Sequence, residues 1–215
     1  MCKYVVLDLE MCRVPGAKQK EYRYANETIE IGAVLLDESL EVQETFSTFV
    51  SPEYGKIDKY IYKLTGISNE QIDGAPKFKE ALESFMDWVP EDAVWVAWSD
   101  NDKRQFKKET QCKAIEIPEL DKHLEELIDC QKLFAERKDT RRNYKLSDAL
   151  LSACIDYADG AHDALVDARN TALLFAKMEK NPDMEFVSYC LKGEELEKFS
   201  YVPLYELFPQ FNFAS

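Results

Sequence analysis

The sequence is short of histidine, of glycine and of paired cysteines. It has two histidines and seven glycines in 215 residues, and its six cysteines are scattered without a Cys-x-x-Cys pair. A zinc knuckle needs such pairs, so this kind of metal site is disfavoured. In a chain that we expect to stay in the cytoplasm, the scattered cysteines also argue against structural disulfides, and free thiols in the core are predicted.

Long apolar runs are missing as well. The first residues lead at once into a segment that carries Asp8 and Glu10, and no later segment approaches the length of a membrane span. The sequence therefore predicts a cytoplasmic protein that has no membrane partner.

Positive charge is also scarce. Lys and Arg number 27 against 41 Asp and Glu, which gives a formal net charge of −14. Because non-specific affinity for nucleic acid comes from Lys and Arg, a protein that covers a long duplex is disfavoured. An enzyme that takes one strand end into a metal-lined cleft remains compatible with this charge, since bound cations reverse the local field.

The composition is otherwise that of an ordinary globular protein, with 46% hydrophobic and 32% charged residues. A chain of this length fits one α/β domain with a full core. We predict a domain over residues 1–180, followed by an aromatic-rich extension over residues 181–215. The extension is expected to pack on the same domain, and a docking site for a protein partner is the alternative.

Five segments have the apolar composition of β-strands, namely residues 4–11, 28–36, 42–50, 94–98 and 127–130. The short turn between the second and third predicts an antiparallel hairpin. The fourth and fifth are joined by a helix and should be parallel. The sequence therefore predicts a mixed sheet.

Apolar residues at helical spacing mark the helices. They cover residues 57–66, a segment opened by Pro76, residues 103–112 and residues 163–178. Residues 13–26 have no clean period and are predicted to form a surface loop. A second polar stretch is strongly basic and contains Arg137, Lys138, Arg141, Arg142 and Lys145. It is either a solvated loop or a rim that contacts phosphates.

Two carboxylates end the first strand. Side chains on a strand alternate between faces, so Asp8 and Glu10 point the same way. Each would raise the pKa of the other unless a cation lay between them, and oxygen ligands favour Mg²⁺ or Mn²⁺. About two Asp-x-Glu triplets are expected by chance in this composition. The other one, Asp183-Met184-Glu185, follows a turn and has no strand before it.

Further acidic residues occur after the fourth strand and on the last predicted helix. Asp102 follows the strand, and Asp167 stands five residues after His162. With two histidines in the chain, that spacing has chance odds of about 0.16. Singly, such aspartates are most often helix caps, and we assign Asp148 and Asp163 to that role. The ordered set predicts a metal site.

Five short segments, in order, resemble the motifs of the DEDDh 3′-5′ exonucleases. They are Asp8-Leu9-Glu10, Ile29-Glu30-Ile31-Gly32, Leu64-Thr65-Gly66-Ile67, Asp100-Asn101-Asp102 and His162-Asp163-Ala164-Leu165-Val166-Asp167-Ala168. The stretch over residues 98–106 resembles in particular the bacterial KapD-like branch, which is related to the histone-mRNA and RNA-interference exonucleases.

The resemblance implies a fold and a site. The fold is ribonuclease H-like α/β, a five-stranded mixed β-sheet with helices on both faces. Two divalent cations, Mg²⁺ or Mn²⁺, would be held by Asp8, Glu10, Asp102 and Asp167, and His162 would be the general base. The 3′-terminal nucleotide would be held by Glu10, Met11, Leu64, Thr65, Gly66 and Ile67.

The implied activity is release of nucleoside 5′-monophosphates from single-stranded 3′ ends, with RNA favoured over DNA. Two departures from the family pattern are present. Asn101 stands where an apolar residue is usual, so the choice of Asp102 over Asp100 depends on register, and Asp163 stands where a basic residue is common. The alternatives are a regulatory binding protein that keeps the fold, and a proofreading subunit of a DNA polymerase that docks through residues 181–215.

Overall fold

A computed structural model describes residues 3–157 and 162–187. The predicted aromatic-rich extension lies largely outside these ranges, because most of it falls on residues 188–215.

The sheet has five strands in the order β3-β2-β1-β4-β5. The strands are β1 Tyr4–Arg13, β2 Asn26–Leu36, β3 Val42–Phe49, β4 Val94–Ala97 and β5 Ile128–Asp129. The β1–β2 and β2–β3 pairs are antiparallel, whereas β1–β4 and β4–β5 are parallel. The predicted mixed sheet and its hairpin are therefore confirmed.

Helices follow the strands along the chain. They are α1 Gly16–Tyr22, α2 Lys59–Thr65, α3 Asn69–Ile72, α4 Phe78–Trp88, α5 Asp100–Lys113, α6 Pro118–Glu125, α7 Cys130–Arg137, α8 Leu146–Ser152 and α9 Ala164–Lys180. Within the described ranges, no helix is long and apolar enough to cross a bilayer. The four cysteines in the same ranges are free, namely Cys12, Cys112, Cys130 and Cys154.

Helices cover both faces of the sheet, because β1 is apolar on both sides. Leu7 belongs to a buried cluster with residues of α4, α5 and α6, such as Phe85. Val6 belongs to a second cluster with residues of α7, α8 and α9, such as Phe175. The predicted fold class is thus confirmed. Asp8 and Glu10 lie on the Val6 side of β1 by strand alternation, which is the side that α9 covers.

The predicted surface loop over residues 13–26 is wrong. Strand β1 runs on to Arg13, α1 follows, and β2 begins at Asn26. Helix α1 is held by Tyr22, which is buried and stacks on Tyr54 with ring centroids 5.0 Å apart. Its partner is distant in sequence, so local periodicity gave no sign of this helix.

A buried ionic cluster joins α5 to β2 and to the segment before α2. The Lys113 ammonium group lies 2.8 Å from Glu27 and 3.0 Å from Glu109, and all three side chains are buried. Glu27 also accepts backbone N–H groups from Tyr54 and Gly55. Burial alone would raise the pKa of Glu27, but these hydrogen bonds and Lys113 lower it below its usual value. The cluster fixes where the chain enters α2.

Candidate metal centre

An acidic cleft of about 340 Å³ opens at the carboxyl ends of β1 and β4. It is lined by Asp8, Leu9, Glu10, Met11, Arg13, Asn26, Ile61, Leu64, Asn101, Asp102, His162 and Asp167. The five residues predicted to carry the chemistry are therefore brought together by three elements, β1, α5 and α9, and by the segment just before α9.

Strand β1 supplies the first two carboxylates. Glu10 is 8% exposed, and Asp8 is partly buried. The register of β1 against β2 shifts between Glu10 and Met11, which is the mark of a β-bulge. Such a bulge re-aims the side chains around it.

Asp102 lies in the cleft, whereas Asp100 lies outside it. Asp102 is 5% exposed and accepts a hydrogen bond from the Leu9 N–H at 3.1 Å. Asp100 instead pairs with Arg104 on the outer side of α5, at 2.8 Å. The cap of α5 is the Ser99 side chain, which accepts the Asn101 N–H. Neither aspartate is needed as that cap.

Asp167 sits in the first turn of α9 and is held from two sides. Its Oδ2 accepts the His162 N–H at 3.1 Å, and its Oδ1 accepts the Tyr157 hydroxyl. The predicted cap of this helix is observed, because Asp163 accepts the Val166 N–H at 3.0 Å. The carboxylate of Asp167 is thereby oriented before any ligand binds.

His162 stands at the mouth of the cleft. Its side chain is 49% exposed, and its Nδ1 lies 3.9 Å from Oε1 of Glu10. Its backbone is left-handed, with φ +68°. Ligand atoms of Glu10, His162 and Asp167 all lie within 4.8 Å of one another.

The start of α9 is fixed to β2 by two residues whose roles the sequence did not reveal. Glu30 is 3% exposed and accepts the Ala164 N–H at 3.1 Å. Gly32 pairs with Asp8, and a Cβ placed on it would lie 2.2 Å from the Ala164 carbonyl carbon. The absence of a side chain at residue 32 therefore lets α9 approach the sheet beside the carboxylates. Both residues stand in a segment quoted for the resemblance, which was the available signal.

Three carboxylates of the cleft, those of Asp8, Glu10 and Asp102, resist ionisation. Burial, and then the charges of Asp167 and Glu30, raise the pKa of Glu10 to about 9. Burial raises the pKa of Asp102 to about 7, although two backbone N–H groups oppose the shift. The pKa of Asp8 is raised well above its usual value by burial and by Asp102 and Glu10. Within residues 3–157 and 162–187, no lysine or arginine forms an ion pair with these groups.

This donor set suits a hard divalent cation. Carboxylate oxygens are the ligands of Mg²⁺ and Mn²⁺, and like charges held together without a basic partner need a cation to ionise. The residues Asp8, Glu10, Asp102 and Asp167 could hold such ions, with the His162 ring free at the entrance.

The predicted nucleotide-binding segment is only partly at the cleft. Met11 and Leu64 line it. The Thr65 hydroxyl donates to Ile61 O at 3.0 Å and accepts the Ile67 N–H at 3.1 Å. Gly66 ends α2 with φ +72°, and Ile67 is buried in a small core. These last three residues shape the turn after α2, and they do not line the cavity.

Several lining residues were missed by sequence reasoning. Arg13 and Asn26 were assigned to the predicted loop over residues 13–26. In the structure Arg13 is the last residue of β1 and Asn26 is the first residue of β2. The helical spacing of Ile61 predicts a core position, and the residue is buried, at 4% exposed. It also borders the cleft. The only signal for Arg13 and Asn26 was their position next to predicted strands.

The basic stretch divides into two parts. Arg137 donates to the Met178 carbonyl and pairs with Glu179, and Lys138 donates to the Val187 carbonyl at 3.2 Å. These two side chains tie down the end of α9 and the chain after it, so they do not act as a phosphate rim. The remaining basic side chains are exposed and stay candidates for either interpretation, namely Arg141, Arg142 and Lys145.

Comparison with known proteins gives one family. The sequence profile of the RNase_T family, described as Exonuclease, matches residues 5–175. ERI1 exoribonuclease 2 of Danio rerio is 32% identical over 176 residues, covering 71% of this chain and 31% of the relative. DNA polymerase III PolC-type of Caldanaerobacter subterraneus subsp. tengcongensis is also 32% identical over 176 residues, covering 82% of this chain and 11% of the relative. The chain thus spans less than a third of either relative.

Solved structures share the fold. The nuclease domain of 3′hExo, a DEDDh family member bound to rAMP, superposes with a TM-score of 0.73 at 23% identity. The match covers 86% of this chain and 96% of that domain. The fold that the resemblance implied is therefore confirmed.

Proposed function

This chain belongs to the RNase_T exonuclease family, and from that premise we propose that it is a metal-dependent 3′-5′ exonuclease of the DEDDh type. It releases nucleoside 5′-monophosphates from single-stranded 3′ ends, and it favours RNA over DNA. The observation that carries the proposal is the convergence of Asp8, Glu10, Asp102 and Asp167 with His162 in one cleft.

The four carboxylates are proposed to hold two Mg²⁺ or Mn²⁺ ions. When bound, these ions supply charge stabilisation at the attacking and leaving oxygens of an in-line phosphoryl displacement. The chain contributes the geometry. Asp102 is fixed by the Leu9 N–H, and Asp167 is fixed by the Tyr157 hydroxyl and the His162 N–H. Such fixed ligands need little rearrangement when the ions arrive.

His162 is proposed as the general base. It is exposed at the entrance while its Nδ1 stays 3.9 Å from Glu10. Histidine gains and loses a proton near neutral pH, where a base that deprotonates water works best. A neutral His162 ring at this position can accept the proton of the attacking water and pass it to bulk solvent.

The apolar side of the cleft is proposed to hold the terminal nucleotide. Met11, Ile61 and Leu64 line this side. A cavity of about 340 Å³ is at the small end of ligand sites. We infer that it takes one terminal nucleotide and excludes a duplex end. The similarity to enzymes named exoribonucleases supports RNA as the preferred polymer.

We also propose that residues 1–180 form the nuclease domain and that residues 181–215 pack on it. The first residues of that extension support this, because Phe186 contacts Phe134 with ring centroids 4.9 Å apart and the Val187 N–H donates to Ser152. The alternative is a docking segment for a protein partner.

The test measures mononucleotide release from 3′- and 5′-labelled single-stranded RNA and DNA, with Mg²⁺, Mn²⁺ or EDTA. With Mg²⁺ or Mn²⁺, wild type should shorten the 3′-labelled and the 5′-labelled strands from their 3′ ends. In EDTA it should shorten neither. Asp8→Asn and His162→Ala should lose at least about a hundredfold in rate. Asp100→Asn is the matched control, since it removes a carboxylate that faces away from the cleft. Internal cleavage, 5′ cleavage or full activity in EDTA would overturn the proposal.

Proofreading within a DNA polymerase is the second candidate. It is favoured by the similarity to DNA polymerase III PolC-type and to the epsilon subunit of Aquifex aeolicus, which is 30% identical over 178 residues. A strong preference for DNA with a mismatched 3′ terminus, together with weak RNA cleavage, would select this candidate over the RNA enzyme.

A further inference from the structure

The Asp167 carboxylate is exposed to repulsion from its neighbours in the cleft. One of its oxygens, one oxygen of Glu10 and a ring nitrogen of His162 all lie within 4.8 Å of one another. Ionised carboxylates at this separation repel each other when no cation lies between them. The last torsion of an aspartate side chain is also broad, so the side chain itself does little to oppose a rotation. Asp167 therefore needs outside donors to keep its oxygens directed into the cleft.

Two donors hold this carboxylate, and they come from different parts of the chain. The His162 N–H donates to Oδ2 of Asp167 at 3.1 Å, and the Tyr157 hydroxyl donates to Oδ1. His162 stands just before α9, the helix that carries Asp167 itself, whereas Tyr157 lies in the segment after α8. The hydroxyl is thus the donor that fixes Asp167 relative to a second element.

The segment that carries Tyr157 is itself anchored. The Ile155 N–H donates to the Leu150 carbonyl of α8 at 2.9 Å. Lys177, near the other end of α9, donates to the Ala153 carbonyl at 2.7 Å. The Tyr157 ring is partly buried against the core cluster that includes residues of α8 and α9. A phenylalanine ring would fill the same space, so packing alone does not require the hydroxyl.

We propose that Tyr157 is a positioning residue, which fixes the Asp167 carboxylate so that the cleft favours Mg²⁺ over the larger Ca²⁺. The inference rests on the proposed function, which makes Asp167 a ligand of the divalent cations. Mg²⁺ demands near-ideal octahedral geometry, whereas Ca²⁺ accepts a variable number of oxygens in flexible geometry. A carboxylate that is free to turn therefore weakens Mg²⁺ binding more than Ca²⁺ binding.

Tyr144 provides the matched control. Its ring packs in the same core cluster as that of Tyr157 and contacts Phe134 with ring centroids 5.2 Å apart. Its backbone carbonyl accepts the Gln131 side chain at 2.7 Å, a contact that does not involve the hydroxyl. Tyr144→Phe thus removes a hydroxyl from the same cluster and leaves both donors to Asp167 in place.

The first experiment is calorimetric titration of the full chain with Mg²⁺ and, separately, with Ca²⁺. Tyr157→Phe should weaken Mg²⁺ binding by about ten- to a hundredfold, the usual effect of removing the partner of a metal ligand. Its Ca²⁺ affinity should fall by a smaller factor, which also shows that the cleft is folded. Tyr144→Phe should bind both ions like wild type. Unchanged Mg²⁺ affinity in Tyr157→Phe, an equal loss for the two ions, or no Mg²⁺ binding by wild type would overturn the proposal.

A second experiment separates positioning from a direct role in the reaction. It measures hydrolysis of 3′-labelled single-stranded RNA against Mg²⁺ concentration. In Tyr157→Phe the Mg²⁺ concentration that gives half the maximal rate should rise by the factor by which affinity falls, and saturating Mg²⁺ should restore most of the wild-type rate. A low rate at saturating Mg²⁺ with an unchanged half-maximal concentration would contradict the proposal, because the hydroxyl would then act on the reaction itself.

The two experiments together distinguish failure of this inference from failure of the proposed function. If Tyr157→Phe loses Mg²⁺ affinity as expected but wild type cleaves no substrate, the role of Tyr157 stands and the exonuclease function fails. If wild type cleaves 3′ ends while Tyr157→Phe keeps the wild-type affinity for Mg²⁺, the function stands and the role of Tyr157 is wrong.

Discussion

Replacing Gly32 by alanine should damage the cleft more than it damages the fold. The added Cβ would lie 2.2 Å from the Ala164 carbonyl carbon and 2.2 Å from the Leu165 nitrogen. Carbon atoms in contact sit at about 3.5 Å, so the first turn of α9 must move by about 1 Å. The obstacle is backbone, which cannot rotate away as a flexible side chain can. That turn carries Asp167, whereas Gly32 itself is paired with Asp8.

Two magnitudes follow for Gly32→Ala. Overfilling a packed site costs about 1–3 kcal/mol, and each kcal/mol lowers the melting temperature of a domain of this size by about 2–4 °C. Thermal unfolding should therefore shift down by about 2–12 °C. A displacement of about 1 Å between catalytic groups costs about a hundredfold in rate. Calorimetric titration with Mn²⁺ should show weaker binding in the same variant, a readout that requires no turnover.

Gly16→Ala is the control for this prediction. A Cβ on Gly16 meets nothing within 4 Å, and its backbone is not left-handed. This variant should keep the Mn²⁺ affinity, the nuclease rate and the melting temperature of wild type, or gain slightly in stability. If Gly32→Ala matched Gly16→Ala in all three measurements, the close approach of α9 to β2 would not set the position of Asp167.

Two further predictions concern buried charges away from the cleft. Lys113→Met should lower the free energy of unfolding by about 3–5 kcal/mol in urea, because Glu27 and Glu109 would be left buried without their cation. Lys79→Met, which breaks the exposed ion pair of Lys79 with Glu83, should change it by less than about 1 kcal/mol, and equal effects would refute the reasoning. His123 is 3% exposed and burial lowers its pKa, so the unfolded chain binds the extra proton first and the stability contributed by the neutral ring should be lost as the pH drops below about 6.5. Urea titrations at pH 7.5 and 5.5 should show that acidification destabilises wild type relative to His123→Phe, and an unchanged difference between the two proteins would contradict this origin.

Strand alternation was enough to predict the shared face of Asp8 and Glu10, because that property is local. The choice of Asp102 over Asp100 needed an alignment with the family motif, since both residues stand in the first turn of one helix. The structure separates them by partner, with Asp102 on the Leu9 N–H and Asp100 on Arg104.

Features that depend on distant partners could not be predicted from the sequence. Helix α1 is held by the ring of Tyr54, more than thirty positions beyond Tyr22. The role of Gly32 depends on how closely the backbone of α9 approaches it. Arg13 was not predicted to line the cleft, because residues 13–26, which include α1, were assigned to a surface loop. In each case the information lies in a contact between elements, which periodicity within one element does not contain.

The order of the cleft carboxylates along the chain has a consequence for synthesis of the protein on the ribosome. Asp8 and Glu10 emerge first, Asp102 follows later, and Asp167 comes only with the last described helix, α9. Contacts between residues so far apart in sequence form late, since a long loop must close first. A nascent chain that lacks α9 cannot assemble the cleft, whatever else of it has folded. A chain with the proposed activity would therefore remain harmless to the messenger that encodes it until α9 has left the ribosome.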